Sequence, residues 1–105
     1  MNEAVHEEIE ELIRARPGLV MVQLTEPCLE SSQQMEQIVG EIAKWRADCA
    51  VIHATFALHG EWARRDRVYG SPSTLVFSGG RLCVCVRGRV GPSRLRETLA
   101  RAGLV

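Results

Sequence analysis

Apolar positions recur along this chain with two different periods. Val5, Ile9, Leu12 and Ile13 fall at i, i+4, i+7 and i+8, one face of a helix. They predict an amphipathic helix over about residues 2–16, ended by Pro17-Gly18. The next run, LVMVQL at 19–24, is short and nearly unbroken, as suits a strand buried on both faces. Met35, Ile38, Val39 and Ile42 restore the helical period and predict a helix from about Cys28 to Arg46. CAVIHATF at 49–56 is a second strand. Strand, long helix, strand is a βαβ unit, which implies parallel strands joined by a right-handed crossover. GEWARRDR at 60–67 predicts a short helix. SPSTLVF at 71–77 and RLCVCVR at 81–87 predict strands joined by a Ser78-Gly79-Gly80 hairpin. Gly91-Pro92 opens a last helix whose apolar stripe is Leu95 and Leu99, and Gly103 suits the residue past its end. The expected order is α-β-α-β-α-β-β-α.

The 105 residues, 46% hydrophobic and 25% charged, predict one globular domain over 1–105 with no repeat or linker. No apolar run approaches the ~20 residues of a membrane span, so no membrane association is expected. The acidic start MNEAVHEEIEELI has neither a cationic region nor an uninterrupted apolar core. It predicts no cleaved secretory leader and a cytoplasmic protein. The net charge is zero but the charges are segregated. Residues 1–59 hold ten acids and four bases; residues 60–105 hold nine arginines against Glu61, Asp66 and Glu97. Such a split can steer an acidic partner. Few aromatic residues interleave with the arginines, so they are expected to solvate helix faces rather than bind nucleic acid.

Composition adds four cysteines, Cys28, Cys49, Cys83 and Cys85. No C-x2-C pair accompanies the finger-like spacing of His53 and His59, so no metal site is expected. Cys49, Cys83 and Cys85 lie in predicted strands and are expected to be buried and reduced, the last two sharing one face without bridging. Cys28 differs. In TEPCLESS it stands where a strand ends and a helix begins, next to unpaired backbone N–H groups and the positive end of a helix dipole. A thiolate is stabilised there, and Ser31 in the first turn can donate to it; Glu26 and Glu30 oppose the effect. The alternative is a small packed apolar residue.

The β-α-β-α-β-β-α order and two motifs resemble the thioredoxin family. TEPCLES is similar to the family's A-E-W-C-G-P-C, with Cys28 matching the first cysteine and Ser31 standing at the second. YGSPSTLVFSGGRL is similar to the segment that carries a cis-proline, a strand, a glycine turn and another strand. Pro72 matches that proline, and Gly88 the small residue that opens the following loop. The chain departs from the pattern in three places. Pro27 replaces the tryptophan before the first cysteine, Val22 stands at the buried acid six residues before it, and His53 stands at the nearby lysine. The initial β-strand of full-length members is also missing.

The resemblance implies a thioredoxin-like three-layer α/β sandwich, with helices on both faces of a mixed four-stranded sheet. It implies thiol–disulfide exchange through Cys28 and Ser31, with Pro27, Ser71, Pro72, Arg87 and Gly88 contacting the substrate. The partner is then a client protein or a low-molecular-weight thiol or disulfide. The other function in view is a redox-inactive binding or adaptor module. Leu29-Glu30 is not the Gly-Phe of the monothiol glutaredoxins that hold an iron–sulfur cluster, so no cofactor is expected. His53 is expected to point inward, as a core histidine or as a base near Cys28. Arg87 and Arg89 either favour the thiolate and dock an acidic client or face solvent. Trp45 and Trp62 are expected to pack at helix ends, and His59 to lie in a loop.

Overall fold

The computed structural model describes residues 3–26, 29–44, 48–65, 68 and 72–104. The order is α1 (Glu3–Arg14), β1 (Leu19–Thr25), α2 (Glu30–Ala43), β2 (Ala50–Thr55), α3 (Phe56–Arg64), β3 (Ser73–Ser78), β4 (Arg81–Arg87) and α4 (Pro92–Arg101). The four strands form one sheet ordered β2-β1-β3-β4. β1 runs parallel to β2, as the βαβ unit requires, and antiparallel to β3; β3 and β4 form the antiparallel hairpin. Its loop is Gly79-Gly80, both at positive φ (60° and 82°), which a two-residue turn matching the strand twist demands.

The central strand β1 is buried along its whole length. Its alternate side chains enter two cores. Val20, Val22 and Leu24 pack with Ile9 and Ile13 of α1, Trp62 and Ala63 of α3, and Leu75 and Phe77 of β3. Leu19 and Met21 pack with Met35, Val39 and Ile42 of α2, and with Leu95 and Leu99 of α4. The result is the expected three layers. Trp62 fastens the α1/α3 layer: its ring stacks on Phe77 at 6.1 Å and its Nε1 donates to Glu10 Oε1 at 2.8 Å.

Four expectations are corrected. Leu12, assigned to the apolar stripe of α1, is 45% exposed; Ile9 and Ile13 carry the burial. The third helix starts at Phe56, not at Gly60, because Thr55 is its N-cap and accepts from the Leu58 N–H at 3.3 Å. His59 therefore lies within a helix, not in a loop. A β-bulge falls where Val76 pairs with Val84 but Phe77 pairs with Leu82. Cys83 is the extra residue, so the shared face expected for Cys83 and Cys85 is broken. Cys85 packs against the α1/α3 core, whereas Cys83 is exposed.

Candidate active site

The register aligns four positions along one edge of the sheet. Thr25 pairs with Thr55 on β2. On the other side the last pair is Leu24 with Ser73, so one step further Thr25 opposes Pro72. Ser73 pairs with Arg87, which sets Pro72 opposite Gly88; there the Gly88 N–H donates to the Pro72 carbonyl at 2.7 Å. Thr55, Thr25, Pro72 and Gly88 thus cross the edge at which β1 delivers the chain into α2. Gly88 has a φ of 76°, and a Cβ there would meet nothing within 4 Å. Backbone conformation, not crowding, is what calls for glycine.

The turn into α2 is tied at both ends. The Leu29 N–H donates to the Glu26 carbonyl at 2.9 Å, and the Glu26 N–H donates to Ser32 Oγ at 3.1 Å. Ser32 is buried and Ser31 half-buried. The N-cap of α2 is Leu29, in an extended conformation and with no side-chain cap hydrogen bond. The helix therefore opens with donors that its own sequence does not cap. Leu29 is also 41% exposed, an apolar side chain directly after Cys28. Thr25 Oγ1 donates to the Ala54 carbonyl at 3.4 Å, which joins β1 to β2 just before the turn.

Of the residues expected at the site, Ser31, Pro72, Arg87 and Gly88 are described and Pro27, Cys28 and Ser71 lie outside the described residues. The Ser71–Pro72 peptide, expected to be cis, falls outside with them, as does Trp45. The structure brings the start of α2, Pro72 and Gly88 to one edge. It puts Arg87 at the end of β4 and Arg89 beyond Gly88, both exposed. His53 is corrected: it is exposed on the edge strand β2, its Nδ1 3.9 Å from Glu36 Oε1. Cys49 is half-buried and lines a cleft of about 180 Å³ with Arg16, Pro17, Asp48 and Ala50, at the other edge of the sheet.

Two polar residues at this end were not singled out by the sequence. Val22 faces the α1/α3 core, and its neighbour Gln23 is the polar side chain turned toward α2. Gln23 pairs with Thr74, whose Oγ1 donates to Gln23 Oε1 at 2.6 Å; both are fully buried. The signal was present: one amide interrupts the apolar run LVMVQL, where a buried polar group must find a partner. Ser32 was the other. Of the two serines in LESS, the buried one binds the strand end, leaving Ser31 nearer the surface. Among the described residues no group of three His, Cys, Asp or Glu is placed to hold a metal ion, and no helix is long and apolar enough to cross a membrane.

A mixed sheet ordered 2-1-3-4, with α1 and α3 on one face, α2 and α4 on the other and a proline before β3, invites comparison with solved structures. A mutant thioredoxin from Halobacterium salinarum NRC-1 superposes with a TM-score of 0.78 at 19% identity, covering 91% of this chain and 83% of its own. The chain has the thioredoxin fold. A chain from a structure concerning the thiol-resolving mechanism of yeast mitochondrial 1-Cys peroxiredoxin via glutathione and thioredoxin systems superposes with a TM-score of 0.76 at 15% identity, covering 90% and 88%. No family model matches the sequence, and no curated protein matches it. The thioredoxin fold is thus carried by a sequence far from both of these proteins, and the functional reading rests on the residues at the sheet edge.

Proposed function

We propose that this protein carries out thiol–disulfide exchange through a single cysteine, Cys28, in a C-x-x-S motif. The observation that carries the reading is the uncapped start of α2, set on the sheet edge where Pro72 and Gly88 are hydrogen-bonded. Unpaired N–H groups and the helix dipole favour an anion at that point, and the residue the chain supplies before Leu29 is a cysteine. The exposed Leu29 and the edge at Pro72 and Gly88 receive a client protein or a low-molecular-weight disulfide.

In the first step the Cys28 thiolate attacks one sulfur of the substrate disulfide. A new S–S bond forms, the substrate S–S bond breaks, and the departing half leaves as a thiolate. Ser31 has no thiol with which to attack the mixed disulfide, so an external thiol completes the cycle and returns Cys28 as thiolate. Arg87 and Arg89 flank the Gly88 contact and favour an acidic substrate. The protein works in a reducing compartment, the cytoplasm, where such a thiol is abundant.

A thioredoxin reductase-coupled assay on a protein disulfide tests the proposal. The wild type is expected to stall after forming the mixed disulfide, with negligible turnover, while an added small thiol releases it. Steady turnover without added thiol would mean that another cysteine resolves the intermediate and would end the single-cysteine reading. A second reading, a binding module that keeps the fold without redox chemistry, is favoured by Val22, an apolar residue of the α1/α3 core where the thioredoxin pattern has a buried acid. Retention of clients by Cys28→Ser as firmly as by the wild type would support that reading instead.

A further inference from the structure

The sheet order β2-β1-β3-β4 leaves β2 and β4 as edges. The two edges are built differently. β4 carries exposed Arg81 and Arg87 and the bulge at Cys83, features that keep another strand from adding. β2, AVIHAT, holds no lysine, arginine or proline, and its register with β1 is unbroken from Ala50 to Thr55. Its polar backbone groups divide by position, because the N–H and C=O of one strand residue point to one side and those of the next to the other. The Ala54 carbonyl is turned toward β1, where it accepts from Thr25 Oγ1 at 3.4 Å. Carried across β3 and β1 by the register, the Gly88–Pro72 hydrogen bond gives the same assignment. Ala50, Ile52 and Ala54 therefore face β1, and Val51, His53 and Thr55 face outward. The outward Thr55 N–H is taken by His59 Nδ1 at 3.4 Å. Val51 and His53 each keep an outward N–H and C=O, and among the described residues no strand pairs with them there.

We infer that β2 pairs with β2 of a second copy of this chain, antiparallel and with Ile52 on the two-fold axis, so that two sheets join into one. In this register Val51 of each copy lies opposite His53 of the other, and every outward N–H of that pair meets an outward C=O. Ile52 faces its own counterpart at a non-hydrogen-bonded position, where side chains approach most closely. Ile52 and Phe56 pack against the α1/α3 core but are only half-buried, and the pairing completes their burial. The charges agree. Exposed Asp48 comes opposite Phe56 in the first turn of α3 of the second copy, a turn with no acidic residue of its own. A carboxylate is favoured at such a helix start. A strand of another protein could use the same backbone groups; the self-match at Ile52 and the approach of Asp48 to α3 select a second copy. The site edge at Pro72 and Gly88 lies at the strand ends, so it stays open in both copies, and the inference does not rest on the exchange reading.

The test is sedimentation of the reduced protein over a dilution series, for the wild type and His53→Pro. The wild type is expected to reach twice the chain mass at protein concentrations up to about 1 mM, the range of a small interface. Proline removes the outward His53 N–H and is tolerated on an edge strand, so His53→Pro should stay folded by circular dichroism and dimerise at least about tenfold more weakly. The register is read separately by mild oxidation and peptide mass mapping without reductant. Ile52→Cys is expected to link to its own counterpart across the axis. His53→Cys, whose counterpart is two positions out of register and beyond bridging distance, is expected not to. Should His53→Pro unfold, this pair of variants carries the test. A wild type that stays monomeric throughout the series overturns the inference and leaves the β2 edge to a strand of another protein. A dimer that links no faster through Ile52→Cys than through His53→Cys uses another face and overturns it equally.

Discussion

Gly88 and His59 make two single-residue tests. At a φ of 76°, with open space around a Cβ, Gly88→Ala meets the backbone penalty alone, about 1–2 kcal/mol. Denaturant unfolding should show that loss, and a variant as stable as the wild type would mean that the Gly88–Pro72 contact relaxes freely. His59 accepts the Thr55 N–H through Nδ1 at 3.4 Å, and Thr55 in turn accepts from Leu58, so the two residues close the start of α3 reciprocally. Burial pushes the His59 imidazole below its ordinary value of 6.5; the Thr55 backbone and the Glu8 carboxylate oppose that, and His6 adds to it. The acceptor geometry demands an unprotonated Nδ1. A group with a lowered folded pKa binds protons more readily in the unfolded chain, so its stabilisation is complete above 6.5 and is lost as pH falls below it. Relative to His59→Gln, the wild type should therefore lose melting temperature between pH 7.5 and pH 5. A pH-independent difference would contradict the assignment. At this scale the sequence was least informative: His53 was expected inward, but it lies exposed on an edge strand, facing Glu36, and a one-residue bulge exposes Cys83.

At the scale of elements, α2 carries the account. Its N-cap is a leucine in the extended conformation that a serine would also adopt, so Leu29→Ser supplies the missing side-chain acceptor. It should stabilise the protein by about 0.5–1 kcal/mol and, by occupying the donors that favour the thiolate, slow Cys28 alkylation at neutral pH. Melts and labelling rates measured together check the opposition; a variant that gains stability and keeps its labelling rate would separate the helix start from the chemistry. The helix itself was readable from Met35, Val39 and Ile42, whose spacing reports directly on burial. The start of α3 was not. Gly60 looked like an opening signal, yet it lies within the helix, and the true signal was Thr55 followed three residues later by the N–H it caps. A cap is a single side chain and is easily lost beside the apolar run CAVIHATF.

Across the whole molecule, one sheet separates two cores. The strand order and the three layers follow from features that a sequence shows well: unbroken apolar strands, a βαβ crossover and a Gly-Gly hairpin. The site edge was legible through Pro72 and Gly88, whose contact is a backbone hydrogen bond set by register. The Gln23–Thr74 pair was not, because it joins strands 51 residues apart. The layered plan predicts that damage to one core spares the other. Trp62→Phe removes the indole N–H held by Glu10 and part of a buried ring in the α1/α3 layer, and should cost about 1–3 kcal/mol. Labelling of Cys28, served by the α2/α4 side, should be unchanged below the melting range; a parallel loss of labelling would argue against two independent layers.

The central claim is that the start of α2 is a reactive edge acting through one sulfur. The most direct measurement exposes the reduced protein to oxidised glutathione at neutral pH, quenches with acid, and maps the adducts by peptide mass spectrometry beside Cys28→Ser. The account predicts glutathione on Cys28 first, no internal disulfide, and release by added thiol. Cys83, exposed at the bulge, should follow more slowly, and Cys49 and Cys85 should trail. Glutathione accumulating on Cys83 while Cys28 stays free would contradict it.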